Sequence, residues 1–151
     1  NDLGSRVSNL FDQNTWTGVW SNALIGDEPT SEYNDALYPI TTTNAGSLQQ
    51  RWALIFTSTT SFRIVGETIG EIGYGSTNTD TQPTNPNSSV PYFIVESGGW
   101  GLGWSAGNVL RFNTIGANYP IWIARTVMQS EPAGDSDTFR LQIRGNVNAD
   151  A

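Results

Sequence analysis

The sequence predicts an all-β protein: an antiparallel β-sandwich or jelly roll of seven to eight strands, with one long polar loop and an N-terminal arm. Three observations carry this expectation. Apolar and polar residues alternate with period two through several short runs, as half-buried antiparallel strands require. Sixteen glycines and seven prolines, with many asparagines, punctuate those runs in the way turns do. Helical periodicity is missing beyond a short stretch near the start, so helix should hold less than about a tenth of the residues, against a usual third. No internal repeat marks a solenoid or propeller.

Taken in order, residues 1–15 read as an arm or short helical turn, with Leu3, Val7, Leu10 and Phe11 at mixed spacing, and residues 16–151 as one sandwich domain. Trp16 to Ile25 reads as a first strand with both tryptophans on one face. Gly26 to Pro39 is an acidic loop carrying Asp27, Glu28, Glu32 and Asp35. Its spacing lacks the order of a calcium-binding loop, so a solvated loop is expected.

The strand signal sharpens at Arg51 to Ser58, where Trp52, Leu54 and Phe56 share a face. Ser61 to Gly73 continues the alternation, and Gly66, Gly70 and Gly73 point to bulges or a bend within it. Tyr74 to Pro91 is a long polar loop, which at this length is usually functional or mobile. Pro91 to Ser97, Asn108 to Thr114, Pro120 to Met128 and Thr138 to Val147 supply further strands. The expected core is Trp52, Leu54, Phe56, Leu110, Phe112, Phe139, Leu141 and Ile143.

The stretch from Ser97 to Arg125 is dense in glycine and aromatic residues. That combination implies closely approaching backbones, with flat rings filling the space left by missing side chains. Two catalytic patterns occur there by coincidence. Gly103-Trp104-Ser105-Ala106-Gly107 has the spacing of a hydrolase nucleophile elbow, but the chain has no histidine to act as base. Residues 108–114 also alternate like a strand, whereas the elbow opens a helix. Gly101 to Ala106 has dinucleotide-fingerprint spacing, but no acid lies about 20 residues on.

Composition excludes more chemistry. Histidine, cysteine and lysine are all absent, and the seven basic residues are arginines. Zinc and haem ligation by these residues, thiol nucleophiles, Schiff bases and phosphate-loop lysines are therefore out of reach. An arginine-only set points to ordered, packed contacts. The formal net charge of −7 argues against nucleic acid, which needs clustered basic residues. No apolar run is long enough to insert into a membrane. The chain begins at Asn1 and its one methionine is Met128, which reads as a processed product or a piece of a longer protein.

Carboxylates remain as acids or bases. Glu67 and Glu71 on one strand face would stand about 13 Å apart, too wide for the roughly 5–9.5 Å pairs of glycosidases. Glu96 could meet either across the sheet, but pairing of these acids with arginines such as Arg140 and Arg144 is the plainer expectation. No catalytic, cofactor-binding or metal-binding residue is assigned. Trp100 and Trp104, with Trp122, Tyr92 and Tyr119, suit either core and interface packing or a sugar-stacking platform. Leu10 and Phe11 suit a contact with another subunit.

Arg51-Trp52-Ala53-Leu54, Gly98 to Trp104, and Gly107 to Thr114 with Pro120, Trp122 and Arg125 carry a resemblance. Across Leu37 to Val127 the chain resembles a domain recurring in structural proteins of tailed bacteriophages and prophages. The resemblance implies a non-enzymatic virion component in the tail, baseplate or fibre, or decorating the capsid. Its partners would be other copies of itself and other virion proteins, with no cofactor. A carbohydrate-binding or host-adhesion module, contacting a host surface glycan, is the alternative.

Overall fold

A computed structural model of the protein describes residues 4–117, 123–124 and 140–142. Regular secondary structure among the described residues is almost entirely antiparallel β. Five strands form one sheet: β1 (Arg6–Gln13), β2 (Gln50–Phe56), β3 (Ser61–Gly66), β4 (Gly70–Ser76) and β7 (Val109–Ile115). Their order across the sheet is β1-β7-β2-β3-β4, with every neighbour antiparallel. Strands β5 (Thr84–Asn85) and β6 (Val90–Pro91) form a separate two-stranded ribbon. The one helical element among the described residues is a 3₁₀ turn at Ser97–Gly99. No helix there is long and apolar enough to cross a membrane.

Period-two alternation gives the sheet two faces. On the first, in-register pairs bring Trp52 beside Phe112, Leu54 between Leu110 and Ile64, and Phe56 beside Phe62. Directly opposed side chains of this kind are what stabilise a sheet face. All seven are buried, which matches the expected core from β2 and β7. Leu141 is half exposed at 51%, so its placement in the expected core is corrected, and Phe139 and Ile143 lie outside the described residues.

The layer covering this face is irregular. Tyr33, Ile40, Tyr92, Phe93, Val95 and Trp104 join the same apolar cluster. Isolated bridges Tyr33–Trp100, Thr41–Ile94 and Thr81–Val95 tie their segments together. Pro39, Pro83, Pro86 and Pro91 explain the lack of longer strands, since each removes a ladder donor. The described residues thus make a two-layer β arrangement with seven strands, and its second layer is mostly bridges and loops.

The second face buries Ala53, Ile55 and Val109, with Trp16, Trp20 and Val65 against them. Here the strand expected at Trp16–Ile25 is corrected. Those residues are not a strand: Gly18 takes a φ of 77°, and the Thr17 and Ser21 hydroxyls accept from the Val19 and Ala23 N–H groups. Such local bonds compete with a ladder. The tryptophans still meet, edge to face at 5.0 Å, and act as a lid over the sheet.

The N-terminal arm is corrected as well. Most of it is edge strand β1, paired with β7 from Arg6–Ile115 to Gln13–Val109. A bulge between Ser8 and Phe11 breaks the register, with Asn9 in the left-handed region at φ 53°. That bulge also breaks the period-two pattern and makes a strand read as mixed spacing. The expected single run Ser61 to Gly73 is a hairpin of β3 and β4 that turns at residues 67–69. Gly73 sits at a register shift in it. The long polar loop is shorter than expected, because β4 extends to Ser76 and the β5–β6 ribbon occupies its far end.

Candidate functional site

The glycine-aromatic segment closes over the first sheet face. Its loop runs beside residues 31–34: Asn34 N–H donates to the Gly99 carbonyl at 2.8 Å, and Gly101 N–H to the Glu32 carbonyl at 3.1 Å. Gly99 is required there. A Cβ on it would overlap the Tyr33 ring, so only glycine lets this backbone pass so close to a buried aromatic. Tyr33 in turn donates its hydroxyl to the Glu96 carbonyl at 3.2 Å.

Among the described residues, the tryptophan and tyrosine rings expected to meet a partner belong to the core or pack against it. Trp104 is 2% exposed and stacks on Phe56, with centroids 4.6 Å apart and planes 7° apart. Trp100 is half-buried among Tyr33, Phe56, Phe62 and Trp104. Tyr92 is buried against Trp52. Trp104 and Tyr92 are therefore core packing, one of the roles expected of them, and are not exposed to a glycan or another subunit. Leu10 and Phe11 are half-buried on β1, and Tyr119 and Trp122 lie outside the described residues. Trp52 donates its indole N–H to Thr114 Oγ1 at 2.8 Å. Those of Trp100 and Trp104 are buried without a protein acceptor.

What the loop does present is Leu102. It lies between Gly101 and Gly103 and is 96% exposed. Its carbonyl accepts from Ser31 Oγ at 2.6 Å, so the backbone carrying this apolar side chain is pinned. Leu37 and Tyr74 are each 74% exposed elsewhere. A leucine flanked by glycines is the available sequence signal, hidden by the tryptophans on either side.

The hydrolase-like pattern resolves into a turn. Ser105 donates both its N–H and its hydroxyl to Asn108 Oδ1, at 2.9 and 3.2 Å, and the chain enters β7. Glu67 and Glu71 pair with arginines, though with Arg51 and Arg63 in place of the expected Arg140 and Arg144, the latter outside the described residues. Glu67, in the β3–β4 turn, meets Arg51 at 2.8 Å, and Glu71 meets Arg63 at 3.3 Å.

A cleft of about 290 Å³ beside β1 is lined by Leu10, Phe11, Asp12, Leu24, Glu28 and Glu32, among others. Both Asp12 carboxylate oxygens accept from the Tyr33 N–H at 3.3 Å. Burial pushes the Asp12 carboxyl up to about 7. The Tyr33 N–H opposes that shift, and the charges of Glu32, Asp35 and Glu28 add to it. Among the described residues no group of three or more acids is arranged to hold a metal ion.

No protein-family profile, curated protein or solved structure matches this chain.

Proposed function

We propose that this chain is a non-enzymatic structural subunit of a virion, of the kind found in tailed bacteriophages, acting through contacts with copies of itself and with other virion proteins. Leu102 is the observation that carries the reading. A leucine held 96% exposed on a pinned loop gains nothing for the isolated chain, whereas inserted into a neighbour it becomes an apolar anchor. The sparse charge, 14% of residues, supports the same reading, because a neutral polar surface packs against a neighbour with little desolvation cost.

Replacing Leu102 with Asp is the test. The variant should fold with an unchanged melting temperature. Its incorporation into particles, or its self-association by sedimentation, should fall by about tenfold or more, the size expected of an interface anchor. Mass spectrometry of purified virions that fails to find the chain would end the proposal.

A further inference from the structure

On the second sheet face a cleft of about 360 Å³ opens where β1, β7 and β2 meet the β3–β4 turn. Asn9, Asn22, Gln49, Arg51, Glu67 and Asn113 supply most of its polar lining. Arg51 and Asn113 are opposed in the β2–β7 register, which sets their side chains next to each other. Both converge on one acceptor: Asn22 Oδ1 receives Arg51 Nε at 2.8 Å and Asn113 Nδ2 at 3.0 Å. Arg51 Nη1 donates to both Glu67 oxygens, at 3.1 and 2.8 Å. Below them Gln50, 5% exposed, is locked to Thr68 by three hydrogen bonds. These side chains are held in place by one another, as a binding site needs.

Unused capacity remains in that network. Asn22 Nδ2, Asn113 Oδ1 and Arg51 Nη2 take no part in the bonds just described, which leaves two donors and an acceptor among neighbouring side chains of the cleft. The charge is balanced, since one guanidinium meets one carboxylate at 2.8 Å. An anion would have to displace Glu67, and a cation would find a single carboxylate already engaged. A peptide is disfavoured on two grounds. Added peptide strands need a free sheet edge, whereas Arg51 and Asn113 lie on inner strands paired on both sides, and edge strand β1 reaches the lining only through Ser8 and Asn9 at its bulge. Peptide side chains need apolar pockets, and Ile115 is the one aliphatic residue in the lining. What remains is a small neutral ligand whose groups both donate and accept. The volume sits near the lower end of the roughly 300–1,000 Å³ of small-ligand clefts.

We propose that this cleft binds a neutral saccharide through its hydroxyls. Asn22, Asn113 and Arg51 make the contacts, while Glu67 positions Arg51. With little apolar area to bury, one site binds weakly, and avidity on a glycan-bearing surface comes from many copies side by side. The saccharide site is independent of Leu102, so either proposal can fail alone.

The test uses the full chain and four neutral sugars, glucose, galactose, mannose and N-acetylglucosamine, at millimolar concentration. Saturation-transfer and heteronuclear NMR provide the readout. At least one sugar should bind and shift the Asn22, Arg51 and Asn113 signals. Asn22→Ala and Arg51→Gln should each weaken that binding by at least about tenfold. Tyr74→Ala, outside the lining, should leave it unchanged. Asn22 is an exposed loop residue, so its variant keeps the test open should Arg51→Gln fail to fold. Absence of binding by all four sugars overturns the proposal. So does binding that survives Asn22→Ala, or displacement of the sugar by inorganic phosphate.

Discussion

Arg111 holds a positive charge in the middle of the sheet and is 3% exposed. The three acceptors its guanidinium meets are all neutral: Gln13 Oε1 at 2.9 Å, the Ser21 carbonyl at 2.8 Å and the Ala23 carbonyl at 2.7 Å. The Phe11 ring lies 5.3 Å from its central carbon, and burial lowers its pKa from the ordinary value. Arg111 thereby ties β1 and the Trp16–Trp20 lid to β7. A lysine carries its three donors on one nitrogen and cannot reach acceptors spread around the guanidinium fork at Nε, Nη1 and Nη2, so Arg111→Lys should cost about 3 kcal/mol, measurable by urea unfolding. The tryptophans offer a paired comparison. Trp52→Phe forfeits the bond to Thr114, whereas Trp104→Phe removes a donor that has no protein acceptor. Trp52→Phe should therefore be the more destabilising by about 1 kcal/mol, with Trp104→Phe as the reference in the same denaturation series.

At the scale of elements, β1 decides how the N-terminus behaves. Read as an arm, it could be removed at the expense of assembly alone. As a strand it covers the β7 edge, and Val7 and Leu10 pack on the core. Deleting residues 1–13 would expose the β7 ladder and uncover Arg111. Because folded domains are stable by only about 5–15 kcal/mol, the shortened chain should lose its cooperative thermal transition. Circular dichroism in the aromatic region, dominated here by packed tryptophans, reads that loss directly. A truncated chain that still melts cooperatively would mean that β7 tolerates an open edge. The opposite edge, β4, is blunted by its glycines, by a register shift and by the Glu71–Arg63 pair, devices that discourage pairing with another chain.

For the whole molecule, Asp12 links stability to pH. Its carboxyl titrates near 7 in the fold, against 3.8 as the ordinary value. Between these values the folded chain keeps a proton that the unfolded chain has released, so this contribution falls as pH rises. The stabilisation is complete below about pH 4, is lost through about pH 7, and stays lost above. Asn keeps an oxygen for the Tyr33 N–H without the charge. Asp12→Asn should therefore melt higher than the parent at pH 8, by about 1–2 kcal/mol after allowance for partial exposure. The difference should vanish near pH 4, and melting curves across that range test both sign and window. Asp80, held by hydrogen bonds from Ser97, shifts in the opposite direction, so the single variant is the clean readout.

The sequence by itself determined the fold class and the chief core strands. Alternation at Arg51–Ser58 and Asn108–Thr114 was legible because each strand is short, regular and lined on one face with large apolar residues. The close packing of glycine against aromatic rings was legible too, since missing side chains have to be filled. Tertiary structure decided the rest. It made β1 a strand by pairing it across a bulge that no local pattern records, and Trp16–Ile25 a lid because β7 already had both its neighbours. Trp104 and Tyr92 went inside because, among the described residues, loops and isolated bridges cover the first sheet face. Arg51, Asn22 and Asn113 became one cleft only through register and chain return, across 29 to 91 residues of sequence separation. Local patterns report which residues seek burial, but a residue's partner is a long-range fact, set by strand order and by whichever surface remains uncovered.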